Sequence, residues 1–381
     1  MTIGILGGGQ LGYMLALAGY PMGMRFRFLD PSPDAPVGRI AGRVTADYND
    51  KQALEKFANG LEVVTYEFEN VPVDAARFLA ERVPVYPPAA ALEEAQDRVR
   101  EKQLFRKLGI GTAEFAEVGS AEEALDAAVR RIGLPAVLKT CRMGYDGKGQ
   151  WLLRTAADVE KVRAELPGVP LVLEKFVEFT REVSMLGVRA RTGEMAFYPL
   201  IENHHRGGIL RLSMAPAPNL TAELQEKAVS ATRKVLEALV YVGVLCIEFF
   251  EVDGKLLANE MAPRVHNSGH WSIEGAETSQ FENHLRAVMG LPLGSTAAMG
   301  YSAMVNLIGE LPEAAEVLKV ANVHLHLYGK EPRPGRKVGH VTVRADKFEK
   351  LQQRLAELPE FFHRAEYCLE QASPEAFAKR A

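Results

Sequence analysis

The sequence is poor in the features that would tie it to an oxidising compartment, a membrane or a nucleic acid. Only three of its 381 residues are cysteine, Cys141, Cys246 and Cys368. An odd number without metal-site spacing argues against a disulfide framework or a zinc finger, and for free thiols in a reducing cytoplasm. No apolar run approaches the ~20 residues of a membrane span. No basic segment followed by an apolar core opens the chain, so no leader is expected. Lysine and arginine number 45 against 49 acids, a formal net charge of −4 that excludes a broad basic surface for duplex binding. Internal repeats and low-complexity tracts are also missing. What is there is 47% hydrophobic and 25% charged, an ordinary globular composition. The length exceeds what a single core sustains, so two or three subdomains sharing a cleft are expected.

The richest local pattern is LPAVLKTCRMGYDGKGQWLL, residues 134–153. An apolar run ends in Lys139, a glycine-punctuated loop with a second lysine follows, and another apolar run begins at Trp151: strand, loop, strand. Glycine lets backbone N–H groups approach an anion with no Cβ in the way, and lysine adds a compact charge. The stretch therefore reads as a clamp for nucleotide phosphates. A plain hairpin with a glycine turn has the same spacing; the charge ending an apolar strand favours the clamp.

At the N-terminus, strand Thr2 to Leu6 leads into Gly7-Gly-Gly-Gln-Leu-Gly12, a helix from about Tyr13, and a second strand, Arg25 to Leu29, ending at Asp30. Glycines at 7, 9 and 12 with an acid about twenty positions on satisfy the dinucleotide fingerprint, so an NAD-linked oxidoreductase is a competing reading. The same glycines guarantee only a helix N-terminus able to hold an anion. Helices around 51–59 and 74–81, with strands Glu62 to Tyr66 and Val85-Tyr86, continue a βαβ series and predict a parallel sheet. Glu67 and Asn70 then fall beyond a strand's carboxyl end beside the Gly7 loop, where ligands collect in such sheets. Solvated capping residues would show the same spacing.

After Pro87-Pro88 one helix is predicted over about 90–108, with Lys102 on its wet face. Asn203-His-His-Arg-Gly-Gly208 reads as a donor-rich turn between strands. The strongest signal of the C-terminal half is a hairpin: Val244 to Phe250 carries Glu248, Asp253-Gly254 turns, and Lys255 to Met261 carries Asn259 and Glu260. A two-residue loop would put Glu248 and Glu260 on opposite faces; a three-residue loop with Gly254 left-handed would put them on one face. Paired acids on one face repel unless a cation lies between them, and magnesium bridging phosphates suits that place. Two exposed edge acids are the plain alternative.

Lys139, the GYDGKGQ loop, Glu174-Lys175-Phe176-Val177 and Glu248 with Asn259-Glu260 together resemble the ATP-grasp superfamily. Within it, HHRGGILRLSMAPAP, NEMAPRVHNSGHWSIEG and GRKVGHVTV are similar to the 5-(carboxyamino)imidazole ribonucleotide synthetases, over nearly the whole chain. The resemblance implies an α/β and α+β ATP-grasp fold. Its parts would be a parallel-sheet pre-ATP-grasp domain at 1–95, a linking helix at 96–111, a lid at 112–176, the core at 177–320 and a small β-rich portion at 321–381. For ATP it implies Arg98, Lys139, Gly144, Tyr145, Asp146, Gly147, Lys148, Gly149, Gln150, Glu174, Lys175, Phe176, Val177, Glu182, His205, Asn259 and Glu260. Glu248 and Glu260 would hold magnesium, two ions being expected.

For the ribonucleotide it implies Gly9, Gln10, Leu11, Glu67, Asn70, Tyr145, Lys337 and Arg344, the last two on its phosphate. Arg264, His266 and Asn267 would stand at the bicarbonate end, and Asp146 and Lys148 are further candidates for the chemistry. Cys141, Met143 and Val265 depart from the family's pattern. The implied reaction is ATP-dependent carboxylation of 5-aminoimidazole ribonucleotide through carboxyphosphate, in purine synthesis, by a cytoplasmic homodimer without nucleic-acid or membrane partners. Another ATP-grasp ligase, of the glycinamide ribonucleotide transformylase or biotin carboxylase type, is the nearest alternative.

Overall fold

Strands β1 (Thr2–Leu6), β2 (Arg25–Leu29), β3 (Gly42–Val44) and β4 (Val63–Tyr66) are short and largely apolar, and they pair in parallel in the order β3-β2-β1-β4. β4 is buried at all four residues, as a parallel strand covered on both faces must be. The structure, a computed structural model, describes residues 1–372 apart from 120–121, 145–147 and 165–167. The strand expected at Val85-Tyr86 amounts to one parallel bridge from Val85 to Val64. The single helix expected over 90–108 is two, Ala89–Ala95 and Arg98–Lys107. Asp97 makes the break: its carboxylate accepts from the backbone N–H groups of Val99 and Arg100, so it caps a new helix rather than continuing an old one.

A second, antiparallel sheet holds β5 (Phe115–Val118), β6 (Ala136–Thr140), β7 (Gln150–Leu153) and β8 (Leu171–Lys175), ordered β5-β8-β6-β7. Its apolar residues share a small core with Leu125, Ala128 and Ile132 of one helix and Val159 and Val162 of another.

The third sheet has nine strands: β9 (Arg181–Arg189), β10 (Met195–Phe197), β11 (Ile201–Arg206), β12 (Ile209–Ala215), β13 (Gly243–Val252), β14 (Lys255–Ala262), β15 (Tyr301–Ile308), β16 (Val323–Leu327) and β17 (Lys337–Ala345). The order is β14-β13-β9-β11-β12-β15-β17-β16, with β10 on β9. The segment 203–208, expected as a turn, is mostly strand. β11 lies between β9 and β12, which pair its backbone on both sides, and only Gly207 and Gly208 turn. One core joins this sheet to the first unit through the Gln10–Gly19 and Gln280–Met289 helices. His284 adds a polar joint inside it. Its Nδ1 accepts from Val244 N–H at 3.1 Å, so Nε2 carries the proton and donates to Thr65 Oγ1 at 2.8 Å. Burial holds this imidazole neutral, its pKa pushed down to about 3.

Candidate active site

The three units meet around a cleft of about 370 Å³. Its floor is the β13–β14 hairpin. The turn has two residues, Asp253 and Gly254, both left-handed at φ 48° and 71°. On loop length alone Glu248 and Glu260 would face opposite ways, and the three-residue loop that was to unite them is not what unites them. The register instead slips between Glu248 and Phe249: Asn259 is the extra residue, and Glu248 pairs directly with Glu260. A β-bulge, invisible to residue counting, puts both acids on one face.

Neither acid is left alone. Arg98 Nη1 lies 2.8 Å from Glu260 Oε2, and His266 Nε2 lies 3.3 Å from Glu248 Oε1. Burial and the charge of Glu260 push the Glu248 carboxyl up to about 7. Burial works the same way on Glu260, but Arg98 outweighs it and keeps Glu260 well below the carboxylate range. The pair therefore resists holding two negative charges until a cation arrives.

Lys139 is buried at the end of β6, with Nζ 3.1 Å from Glu174 Oε2 and 3.4 Å from Asn259 Oδ1. Lys102 corrects the expectation of a wet helix face. It is fully buried, with Nζ 3.1 Å from the same Glu174 oxygen and 3.2 Å from the Asn259 carbonyl. The Arg98–Lys107 helix lies against β14 and also buries Arg98 and Glu101. Glu101 accepts from Met261 N–H at 2.6 Å; burial, with Glu260 nearby, pushes its carboxyl up to about 8. Charged letters at helical spacing suggested water, but here each finds a partner on β8 or β14.

At the far end Arg264 Nε donates to Glu69, and Arg264 Nη1 donates to the Val265 carbonyl at 3.0 Å. Gln280 clamps His266 by its backbone, accepting from its N–H at 2.8 Å and donating to its carbonyl at 2.6 Å. His266 Nδ1 accepts from Ser268 N–H at 3.3 Å, so Nε2 carries the proton that faces Glu248. Burial, reinforced by Arg264, lowers the His266 pKa and keeps the ring neutral. Asn267 exchanges amide hydrogen bonds of 3.0 and 2.8 Å with Asn306 of β15. Glu182 and His205 pair on adjacent strands; burial opposes the imidazolium, but Glu182 raises it to about 9.

The glycine loop of the first unit is filled from within. Gly8 N–H donates to Asp30 Oδ2 at 2.6 Å, while Gly9 and Gly12 N–H groups both donate to the Glu67 carboxylate. The anion at this helix N-terminus is the chain's own, which leaves these amides no place for a dinucleotide pyrophosphate and removes the oxidoreductase reading. Gln10, Leu11 and Asn70 line the cleft, with Gly9 and Glu67 behind them. Lys337, at the start of β17, lines it too. Arg344 does not: it sits seven residues further along the same strand, about 23 Å at strand rise, and donates to the Met299 carbonyl at 3.2 Å.

Gly144 and Gln150 line the cleft, and Lys148 and Gly149 form a turn beside them. Tyr145, Asp146 and Gly147 lie outside the described residues. Glu174 stands behind Lys139, and Lys175, which ends β8, with Phe176 and Val177 after it, is not part of the lining. The sequence reading missed Glu69, Glu101, Gln280, Asn306 and Lys330. Lys330 Nζ donates to Gln10 Oε1 across 320 residues of chain. Only Glu69 carried a signal, being two positions from Glu67 in the same segment.

A cleft between a glycine-looped parallel sheet, a small antiparallel flap and a larger sheet bearing paired acids defines an ATP-grasp protein. The sequence profile of the ATP-grasp domain matches residues 103–281, that of the ribonucleotide synthetase preATP-grasp domain residues 1–96, and that of the phosphoribosylaminoimidazole carboxylase C-terminal domain residues 302–354. N5-carboxyaminoimidazole ribonucleotide synthase of Pseudomonas aeruginosa is 57% identical over 94% of this chain and 98% of its own. The Bacillus subtilis synthase is 43% identical over 90% of each. The crystal structure of the Thermus thermophilus synthetase superposes with a TM-score of 0.90 at 62% identity, covering 93% of this chain and 97% of that one. The Aspergillus clavatus synthase, solved with ADP and 5-aminoimidazole ribonucleotide, superposes at 0.89 with 32% identity, covering 95% and 98%. The chain belongs to the N5-carboxyaminoimidazole ribonucleotide synthase family.

Proposed function

We propose that this protein joins bicarbonate to the exocyclic amine of 5-aminoimidazole ribonucleotide at the expense of ATP, a step of purine synthesis. The observation that carries this reading is one cleft that brings together paired acids, Lys139, Arg98, Arg264, neutral His266 and Asn267. Bicarbonate is a poor electrophile. Its oxygen attacks the γ-phosphorus of ATP, ADP departs, and the carbon of the resulting carboxyphosphate becomes open to the amine. Nitrogen attack expels phosphate and releases a proton, leaving the carbamate.

Two anions must first approach each other, and Lys139 and Arg264 supply the positive field. A preorganised donor of this kind is worth about 3 kcal/mol in a transition state. His266 holds an N–H, which suits it to donate to bicarbonate, and Asp146 is the other candidate proton handler. Lys337 lines the cleft and Lys330 donates to Gln10 in its lining, and both suit the ribonucleotide phosphate.

Glu248 and Glu260 offer hard oxygen ligands side by side, the donor type magnesium takes. Among the described residues no group of three or more candidate ligands gathers, so phosphate and water oxygens would complete the shell. Magnesium there would neutralise the charge that builds on the transferring phosphoryl group. A cytoplasmic homodimer is the assembly that accompanies this reading. The test is ADP release: it should require both bicarbonate and the ribonucleotide, and release indifferent to either would end the proposal.

A further inference from the structure

The nucleotide end of the cleft contains one more cation than its obvious chemistry uses. Lys102 and Lys139 each place Nζ 3.1 Å from the same oxygen, Glu174 Oε2. All three side chains are buried, at 0%, 8% and 4% exposure respectively. Among the described residues the second Glu174 oxygen, Oε1, is buried with no hydrogen-bond partner, so the carboxylate's direct partners are the two lysines, with the charge of Arg98 adding to theirs. Lys139 lines the cleft; Lys102 does not, and is tethered on its other side to the Asn259 carbonyl.

A buried carboxylate stripped of its only counter-ion is strongly unfavourable. Were Lys139 the sole partner of Glu174, any phosphate drawing Lys139 away would leave that carboxylate uncompensated. We propose that Lys102 is a positioning residue of the nucleotide site: it neutralises Glu174 permanently, so that Lys139 is free to turn to the nucleotide phosphates. The inference rests on the reading of this cleft as a nucleotide site, but not on the identity of the acceptor that is carboxylated.

The experiment is ADP binding to the full-length protein by calorimetry, without turnover, for wild type, Lys102→Met and Lys102→Met/Glu174→Gln. Lys102→Met should weaken ADP at least about tenfold, since Lys139 is then held by Glu174. The double variant removes the charge that needs neutralising and should recover most of the loss. A purely structural lysine would give no such recovery. In steady-state assays the KM for ATP should rise in Lys102→Met while that for the ribonucleotide stays within about twofold. Unchanged ADP affinity in Lys102→Met, or a loss that the double variant does not recover, would overturn the proposal. If Lys102→Met does not fold, the double variant is compared directly with wild type: affinity within about threefold supports the role, and a tenfold deficit removes it. Wild-type protein that fails to bind ADP would sink the nucleotide reading itself, whereas ADP binding without carboxylation would sink only the proposed reaction.

Discussion

Glu69 is the residue whose replacement tests the proposed bicarbonate end most sharply. Its carboxylate receives Arg264 Nε, and the two side chains are only 26% and 15% exposed. Burial alone would raise the Glu69 pKa, but Arg264 reverses the sign and holds it below the ordinary carboxylate value. Glu69→Gln keeps the shape and removes the charge. Breaking a fully buried pair from one side costs about 3–5 kcal/mol. Residual exposure and the bond from Arg264 to the Val265 carbonyl reduce this to about 2–3 kcal/mol. At about 2.1 cal/mol/K of unfolding entropy per residue, 381 residues convert that to a fall in Tm of about 3 °C.

The activity effect should exceed the stability effect, because Arg264 loses the partner that aims it. Displacement of a reacting group by about 1 Å costs on the order of a hundredfold in rate. Because the carboxyl is depressed, its contribution is present above about pH 4 and fades as pH falls through its folded value; the glutamine variant should lack that acid limb. Rates of ADP release at saturating ribonucleotide with varied bicarbonate, together with thermal unfolding, measure all three. A Glu69→Gln protein with wild-type kcat and wild-type KM for bicarbonate would refute the argument, whatever its Tm.

Glu260→Gln should abolish turnover with the fold intact by circular dichroism, and a comparable rate would remove its metal role. Lys337→Ala should raise the KM for the ribonucleotide about tenfold or more with little change for ATP, because one phosphate contact is lost; an effect confined to ATP contradicts the assignment. Gly9→Ala places a Cβ against the Glu67 carboxylate and should cost about 1–3 kcal/mol in denaturant unfolding. His205 has a raised pKa of about 9, so its pairing with Glu182 stabilises the fold fully below the ordinary histidine value of about 6.5 and less as pH climbs through 9. Urea midpoints on either side of that window should differ in wild type and converge in His205→Ala.

Much of the site was legible in the letters because it lies in contiguous segments. The stretch around Lys139, the hairpin with Glu248 and Glu260, and Arg264-Val-His-Asn267 each announce polar groups where apolar strands would be simpler. The cleft gathers them, with Gln10, Asn70 and Lys337. Lys102 was misread because its periodicity is that of any amphipathic helix, and only the approach of β8 and β14 turns that face inward. Lys337 and Arg344 were paired on one phosphate by the resemblance alone; the strand sets them seven residues apart, and only Lys337 lines the cleft.

Sequence alone determined the glycine loops, most of the apolar strands of the parallel sheet and the family, because each is written in local spacing or in long ordered motifs. It also supplied the two acids. What only the tertiary structure decided is how they meet: one extra residue at Asn259 turns Glu260 to the side of Glu248. It likewise decided that Glu67 fills the glycine loop and that one buried carboxylate is shared by two lysines. These are contacts between residues twelve or more positions apart. Their energies depend on distance and burial in three dimensions, which no local pattern of letters contains.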